Sequence, residues 1–243
     1  MRQFLLLICF CSAPSLLLAQ SQEFVFPEPR PGSVERQAPA LPDARPSSIP
    51  RSRGTFAPTS SRSRPTLPIT FKECQEILES LNVIFVPIRD VRGPGQCGLT
   101  DAVEVSAFND VRLLPPAPMT CLAAAATAQW LRNAVVPQAR ARFGSPVVDI
   151  RQISTYSCRS QPNGQLSEHA YGNALDISAL VLSDGTTISV SSDWRRGGQR
   201  GRFLRAIARA SCAYFSTVLT PLSDGDYQDH FHLDKGPWIS CGA

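Results

Sequence analysis

The sequence predicts an α+β domain with a small, mostly antiparallel sheet, flanking helices and disulfide bonds. Three observations lead there. Apolar residues recur at helical spacing in separated stretches, and short β-branched runs lie between them without regular strand–helix alternation. Cysteines are spread along the same region in an even number.

Phe71, Ile77, Leu78 and Leu81 share one helical face and predict a first helix. Val103, Val105 and Phe108 predict a strand, and Val111 to Leu114 predicts another that Pro115 and Pro116 should end. Thr120 is placed to cap a long helix through Ala123 to Ala126, Trp130, Leu131 and Val135, with Gly144 as its stop. Pro137 should kink or divide that helix. Val147 to Ile153 reads as a strand. Ala174 to Leu182, Asp184-Gly185 and Thr187 to Val190 read as a hairpin. Phe203 to Phe215 returns to helical spacing, and Phe231 to Leu233 reads as a short final strand. Residues 70–243 thus form one expected domain.

The N-terminal part reads differently. Arg2, the apolar run Phe4 to Leu18 and the small residue Ala19 have the three-part pattern of a secretory signal peptide over 1–20. Pro14 interrupts the run, which is too short for a spanning helix. No second apolar stretch could cross a membrane. Residues 21–69 hold ten of the 21 prolines, from Pro27 to Pro68, among Ser and Arg. So little apolar surface cannot offset ordering entropy, which predicts an extended, disordered linker. Its Arg-Ser-Arg pieces at Arg51 to Arg53 and Arg62 to Arg64 could touch acidic polymers, but a plain spacer explains them more simply.

Of eight cysteines, Cys9 and Cys11 fall in the leader. Cys74, Cys97, Cys121, Cys158, Cys212 and Cys241 remain. They form an even set in an exported chain, with no Cys-x-x-Cys pair, so they read as a disulfide framework whose pairing is open. The net charge of +4 is modest, and no basic face is interleaved with aromatics, which argues against nucleic-acid binding. No Gly-x-Ser-x-Gly elbow is present, and Gly197-Gly198 lacks the strand, helix and lysine of a phosphate loop. Trp130 on its Ala-rich helix reads as core.

The chain has three histidines, His169, His230 and His232. His169 stands in a Gly-containing turn seven residues before Asp176. His230 and His232 would share one face of a strand. Two imidazoles and a carboxylate form a common catalytic zinc set that leaves a position for water and makes that water more acidic. The plain alternative is three unrelated histidines, but a pattern that uses every histidine in the chain favours metal.

Ser167-Glu168-His169-Ala170-Tyr171-Gly172-Asn173-Ala174-Leu175-Asp176 resembles the S-x-H-x-x-G-x-A-x-D motif of zinc peptidoglycan peptidases, the D-alanyl-D-alanine dipeptidases and murein endopeptidases. His230-Phe231-His232 is similar to the H-x-H element of that superfamily, which includes the hedgehog signalling domain. From Phe71 onward the chain resembles the bacterial extensin-like C-terminal domain. Pro115-Pro116, Met119-Thr120-Cys121, Tyr156-Ser157-Cys158-Arg159 and Asp229-His230-Phe231-His232-Leu233-Asp234 carry this likeness.

The resemblance implies a hedgehog/DD-peptidase-like fold, with His169, Asp176 and His232 as Zn2+ ligands. It makes His230 the non-ligand histidine that orients water or stabilises an oxyanion, and Asp229 a rival general base. It gives Arg159 the task of holding substrate or developing charge. An arginine beside a bridged cysteine is the plainer alternative. Ser167 is implied as a substrate contact or a hydrogen bonder behind the ligands. The expected activity is an exported, periplasmic or wall-associated zinc metallopeptidase cleaving stem or cross-link peptides of peptidoglycan. The rivals are a non-catalytic wall-binding module that keeps the zinc site, and a scaffold whose proline segment does the binding.

Overall fold

The computed structural model describes residues 70–161, 164–223 and 225–243. The expected leader at 1–20 and linker at 21–69 lie outside the described residues. The domain opens with α1 (Phe71–Ser80). Thr70 and Glu73 form a reciprocal capping box there, each side chain accepting from the other's backbone N–H. Next come β1 (Val83–Pro87), β2 (Val91–Arg92), β3 (Gly98–Leu99), β4 (Ala102–Phe108) and β5 (Val111–Thr120). They are followed by α2 (Cys121–Trp130), a π-helical turn over Leu131–Val135, α3 (Val136–Phe143) and β6 (Val147–Ser154). A 3₁₀ turn over Glu168–Tyr171 leads into β7 (Ala174–Leu182), β8 (Thr187–Ser189), α4 (Val190–Asp193) and α5 (Gln199–Ser211). The chain closes with β9 (Thr217–Leu219), a 3₁₀ turn over Gly225–Tyr227, β10 (Phe231–Asp234) and β11 (Ser240–Cys241).

The fold is α+β as expected, but the sheet is not small. Nine strands run in the order β1-β4-β5-β6-β7-β10-β9-β11, with β8 on β7. Most pairs are antiparallel, while β5–β6 and β9–β11 are parallel. The extra strands are short: β9 and β11 have too few residues to show an alternation, and β1 ends in a proline. β5 also runs on through Pro115 and Pro116, where an end was expected. Its pairing with β6 stops at Leu114, and its register with β4 shifts between Val105 and Ala107. The two prolines sit at that irregularity, so their missing N–H groups break no regular ladder.

The long helix is divided as its proline predicts. Thr120 Oγ1 accepts from Ala123 N–H, Pro137 enters in the first turn of α3, and the turn before it widens to π spacing. That widening accommodates a residue that cannot donate to the carbonyl four positions back. Gly144 ends α3 at φ 69°. Trp130 is core: its Nε1 donates to Ile207 O at 3.0 Å, tying α2 to α5.

Three bridges use all six cysteines: Cys74–Cys121, Cys97–Cys158 and Cys212–Cys241. They join α1 to the start of α2, the β2–β3 hairpin to the loop after β6, and the end of α5 to β11. Each contributes on the order of 2–4 kcal/mol. Among the described residues, no helix is long and apolar enough to cross a membrane.

Candidate metal centre

Strand register brings the first two site residues together. In the antiparallel β7–β10 pair, His232 lies directly opposite Asp176. Along β10, Phe231 and Leu233 point into the core, so alternation sends His232 and Asp234 to the other face. His169 arrives from the 3₁₀ turn before β7. Ser167 caps that turn by accepting from His169 N–H at 3.4 Å, and Gly172 closes it at φ 64°. A Cβ on Gly172 would stand 2.2 Å from Leu99 Cδ2, so both the conformation and the contact require glycine.

His169, Asp176 and His232 are all buried, and one ligand atom from each lies within 4.8 Å of the others. Backbone and side-chain partners orient both rings. His169 Nδ1 sits 3.0 Å from Thr155 O, a pure acceptor, so Nδ1 carries the proton and Nε2 the lone pair. His232 Nε2 sits 2.9 Å from Asp234 Oδ2 and donates to it, which turns Nδ1 inward. Nε2 of His169 and Nδ1 of His232 then face each other at 3.1 Å, each 3.0 Å from an Asp176 oxygen.

Two facing lone pairs beside a carboxylate need a positive charge between them. Without a cation, a proton supplies it. Burial alone would push the His232 imidazole down, but Asp176 and Asp234 outweigh burial and hold it up at about 9. Burial would likewise push Asp176 up, yet the imidazoles beside it keep it well below the usual carboxylate range. A divalent cation could occupy the same place. Ring nitrogens whose partner N–H groups are fixed by a carbonyl and a carboxylate are the arrangement metal ligands show.

The remaining site residues surround this trio. Arg159 Nη2 lies 3.2 Å from Asp176 Oδ2, its side chain half exposed. His230 precedes β10 rather than lying in it, but its Nε2 still reaches within 3.9 Å of Asp176 Oδ1. Its Nδ1 is 2.7 Å from Asp229 Oδ1. Strand alternation, which would have set Asp229 and His230 on opposite faces, does not apply outside the strand. The two expected rivals are partners. Ser167, besides its capping role, lines the open cavity of about 1410 Å³ onto which the centre faces.

Sequence reasoning assigned no role to Asp234, Thr155, Glu168 or Tyr227. Asp234 was within reach of the alternation argument, two residues from His232 on the same strand. The Thr155 contact is through backbone and leaves no letter in the sequence. Glu168 accepts from Asn173 Nδ2 at 2.9 Å, and burial raises its carboxyl above the ordinary value. Tyr227 lays its ring 5.5 Å from His230 and 5.9 Å from His232.

Fold and site together define a disulfide-bonded α+β domain with a buried His–Asp–His cluster able to hold a metal ion, open to a large cavity. Residues 72–242 match the family described as extensin-like protein C-terminus, and the chain belongs to that family. No curated protein and no solved structure matches the chain.

Proposed function

We propose that this protein is an exported zinc-dependent hydrolase of peptidoglycan peptides, acting on a stem or cross-link peptide bond. The observation that carries the reading is a proton-handling pair beside the cation-binding trio: Asp229–His230, with His230 Nε2 3.9 Å from Asp176. A purely structural metal site has no need of such a pair. His169 Nε2, the Asp176 carboxylate and His232 Nδ1 would hold the ion. Bound there, zinc supplies Lewis acidity, polarising a carbonyl and activating water.

The protein's own groups do the rest. Asp229 accepts from His230 Nδ1–H, which fixes the tautomer and leaves Nε2 free to take a proton and later return it to the leaving amine. The Arg159 guanidinium, half exposed beside Asp176, offers fixed donors to a substrate carboxylate or to charge developing on the scissile carbonyl. Ser167 holds the His169 turn and lines the cavity.

The test is cleavage of purified muropeptides by the zinc-loaded protein. His230→Ala should retain zinc while losing about 10²–10⁴-fold in rate, the range for a lost acid–base group. His232→Ala should lose both zinc and activity. Asp229→Asn should lose less than His230→Ala, because Asp229 acts through the ring. Absence of any cleavage between pH 5 and 9, with zinc bound and intact sacculi still retained, would overturn the hydrolase and leave a wall-binding module.

A further inference from the structure

The cavity does not end at the metal centre. It is also lined by Thr217 and Leu219 of β9, beside β10, and by Pro237, Trp238 and Ser240 before and within β11. The chain has three tryptophans, and two are core: Trp130 is 0% and Trp194 3% exposed. Trp238 is 61% exposed. A large aromatic ring left in water on a cavity wall forgoes the burial that its two counterparts gain.

The segment that carries it is held on both sides. Thr217 Oγ1 donates to Trp238 O at 3.2 Å, and Ser240 N donates to Ser216 O at 2.9 Å. β11 pairs with β9, and Cys241 is bridged to Cys212 at the end of α5. The backbone under the ring is therefore ordered in advance, which lowers the entropic cost of using it as a contact. The lining is mixed: His230, His232, Arg159, Glu168 and Asp234 stand among the neutral amides and hydroxyls of Gln96, Gln161, Thr217 and Ser240.

A flat apolar plate combined with neutral amides and hydroxyls suits a pyranose. Its C–H face stacks on an aromatic ring, and its hydroxyl and acetamido groups pair with side-chain donors and acceptors. A cavity of about 1410 Å³ exceeds the roughly 300–1,000 Å³ that encloses one small ligand, and leaves room for a sugar beside a peptide. We propose that Trp238 is the platform of a saccharide subsite, so that this cavity takes peptide still joined to an N-acetylhexosamine glycan in preference to free peptide. The proposal rests on the reading that the metal end meets wall peptides.

Because Trp130 and Trp194 are buried, Trp238 is the ring whose fluorescence a surface ligand will change. Titration with the N-acetylglucosaminyl-N-acetylmuramic acid disaccharide should shift and saturate the emission of the full chain, zinc-loaded or chelated. The response should vanish in Trp238→Ala and survive in part in Trp238→Phe, which keeps a plate. With disaccharide-peptide and glycan-free peptide as paired substrates, Trp238→Ala should cut the preference for the former about tenfold, the scale of a truncated aromatic anchor. Disaccharide binding without any cleavage would sink the hydrolase and keep the subsite. Equal kcat/KM for the two substrates in wild type and in Trp238→Ala would sink the subsite and keep the hydrolase. An emission change that follows only self-association, or that persists in Trp238→Ala, would also overturn the subsite.

Discussion

Asp234→Asn isolates the orientation of one ligand from the ligand itself. Both carboxylate oxygens of this buried residue accept hydrogen bonds: Oδ2 from His232 Nε2 at 2.9 Å, and Oδ1 from Gly236 N at 2.8 Å. An asparagine of the same shape has one acceptor and one donor group, so one of the two partners must meet an N–H₂. If the amide nitrogen turns to His232, the ring answers by moving its proton to Nδ1, the atom that should face the cation. If it turns to Gly236, two donors collide in a buried position. In both cases the carboxylate that makes the imidazole more basic is gone. Loss of such a supporting partner lowers metal affinity by about 10–100-fold. That is about 1.4–2.8 kcal/mol. Competition against a fluorescent zinc chelator would measure it, with thermal melting of the metal-free protein as a control for folding. Wild-type zinc affinity in a folded Asp234→Asn variant would refute the assignment of His232 Nδ1 as the ligand atom.

Two further outcomes follow from the same geometry. In the metal-free site the His232 proton is held up to about 9, so below that pH a cation must expel it. Apparent affinity should then rise about tenfold per pH unit toward 9, and calorimetry near pH 7 in buffers of different ionisation enthalpy should detect about one proton released. No linked proton would refute the picture. The second outcome concerns the framework. Peptide mapping without reduction should recover Cys74–Cys121, Cys97–Cys158 and Cys212–Cys241, with no titratable thiol in the domain. Any other pairing contradicts the fold.

The His–Asp–His cluster was legible because its signal is local and discrete. The spacing of His169, Gly172 and Asp176 encodes a turn followed by a strand, and the structure gives both. The same-face argument for His230 and His232 reached the right neighbourhood by a route the structure does not use, since β10 begins at Phe231. Asp234 obeyed the alternation rule but resembles any acidic residue at a strand end, so only its contact with His232 reveals its task. The sheet was harder to read. Pro115 and Pro116 resemble an end until the register shift opposite them is known, and that depends on β4. The pairing of six cysteines depends on which elements become neighbours, information that spacing along the chain does not hold.

The three bridges also imply an order of events. Until they close, the domain carries six thiols able to become thiolates, which are softer and stronger partners for zinc than imidazole or carboxylate. A cation arriving then would be drawn to Cys97 or Cys158, near the loop that must deliver Arg159, rather than to His169 and His232. Oxidation removes every one of these competitors from the domain and would leave the buried His–Asp–His cluster as the best place for an ion. On the proposed zinc reading, maturation would run through oxidation first and metal second, and a compartment that offered zinc before an oxidant would trap the protein in the wrong chemistry.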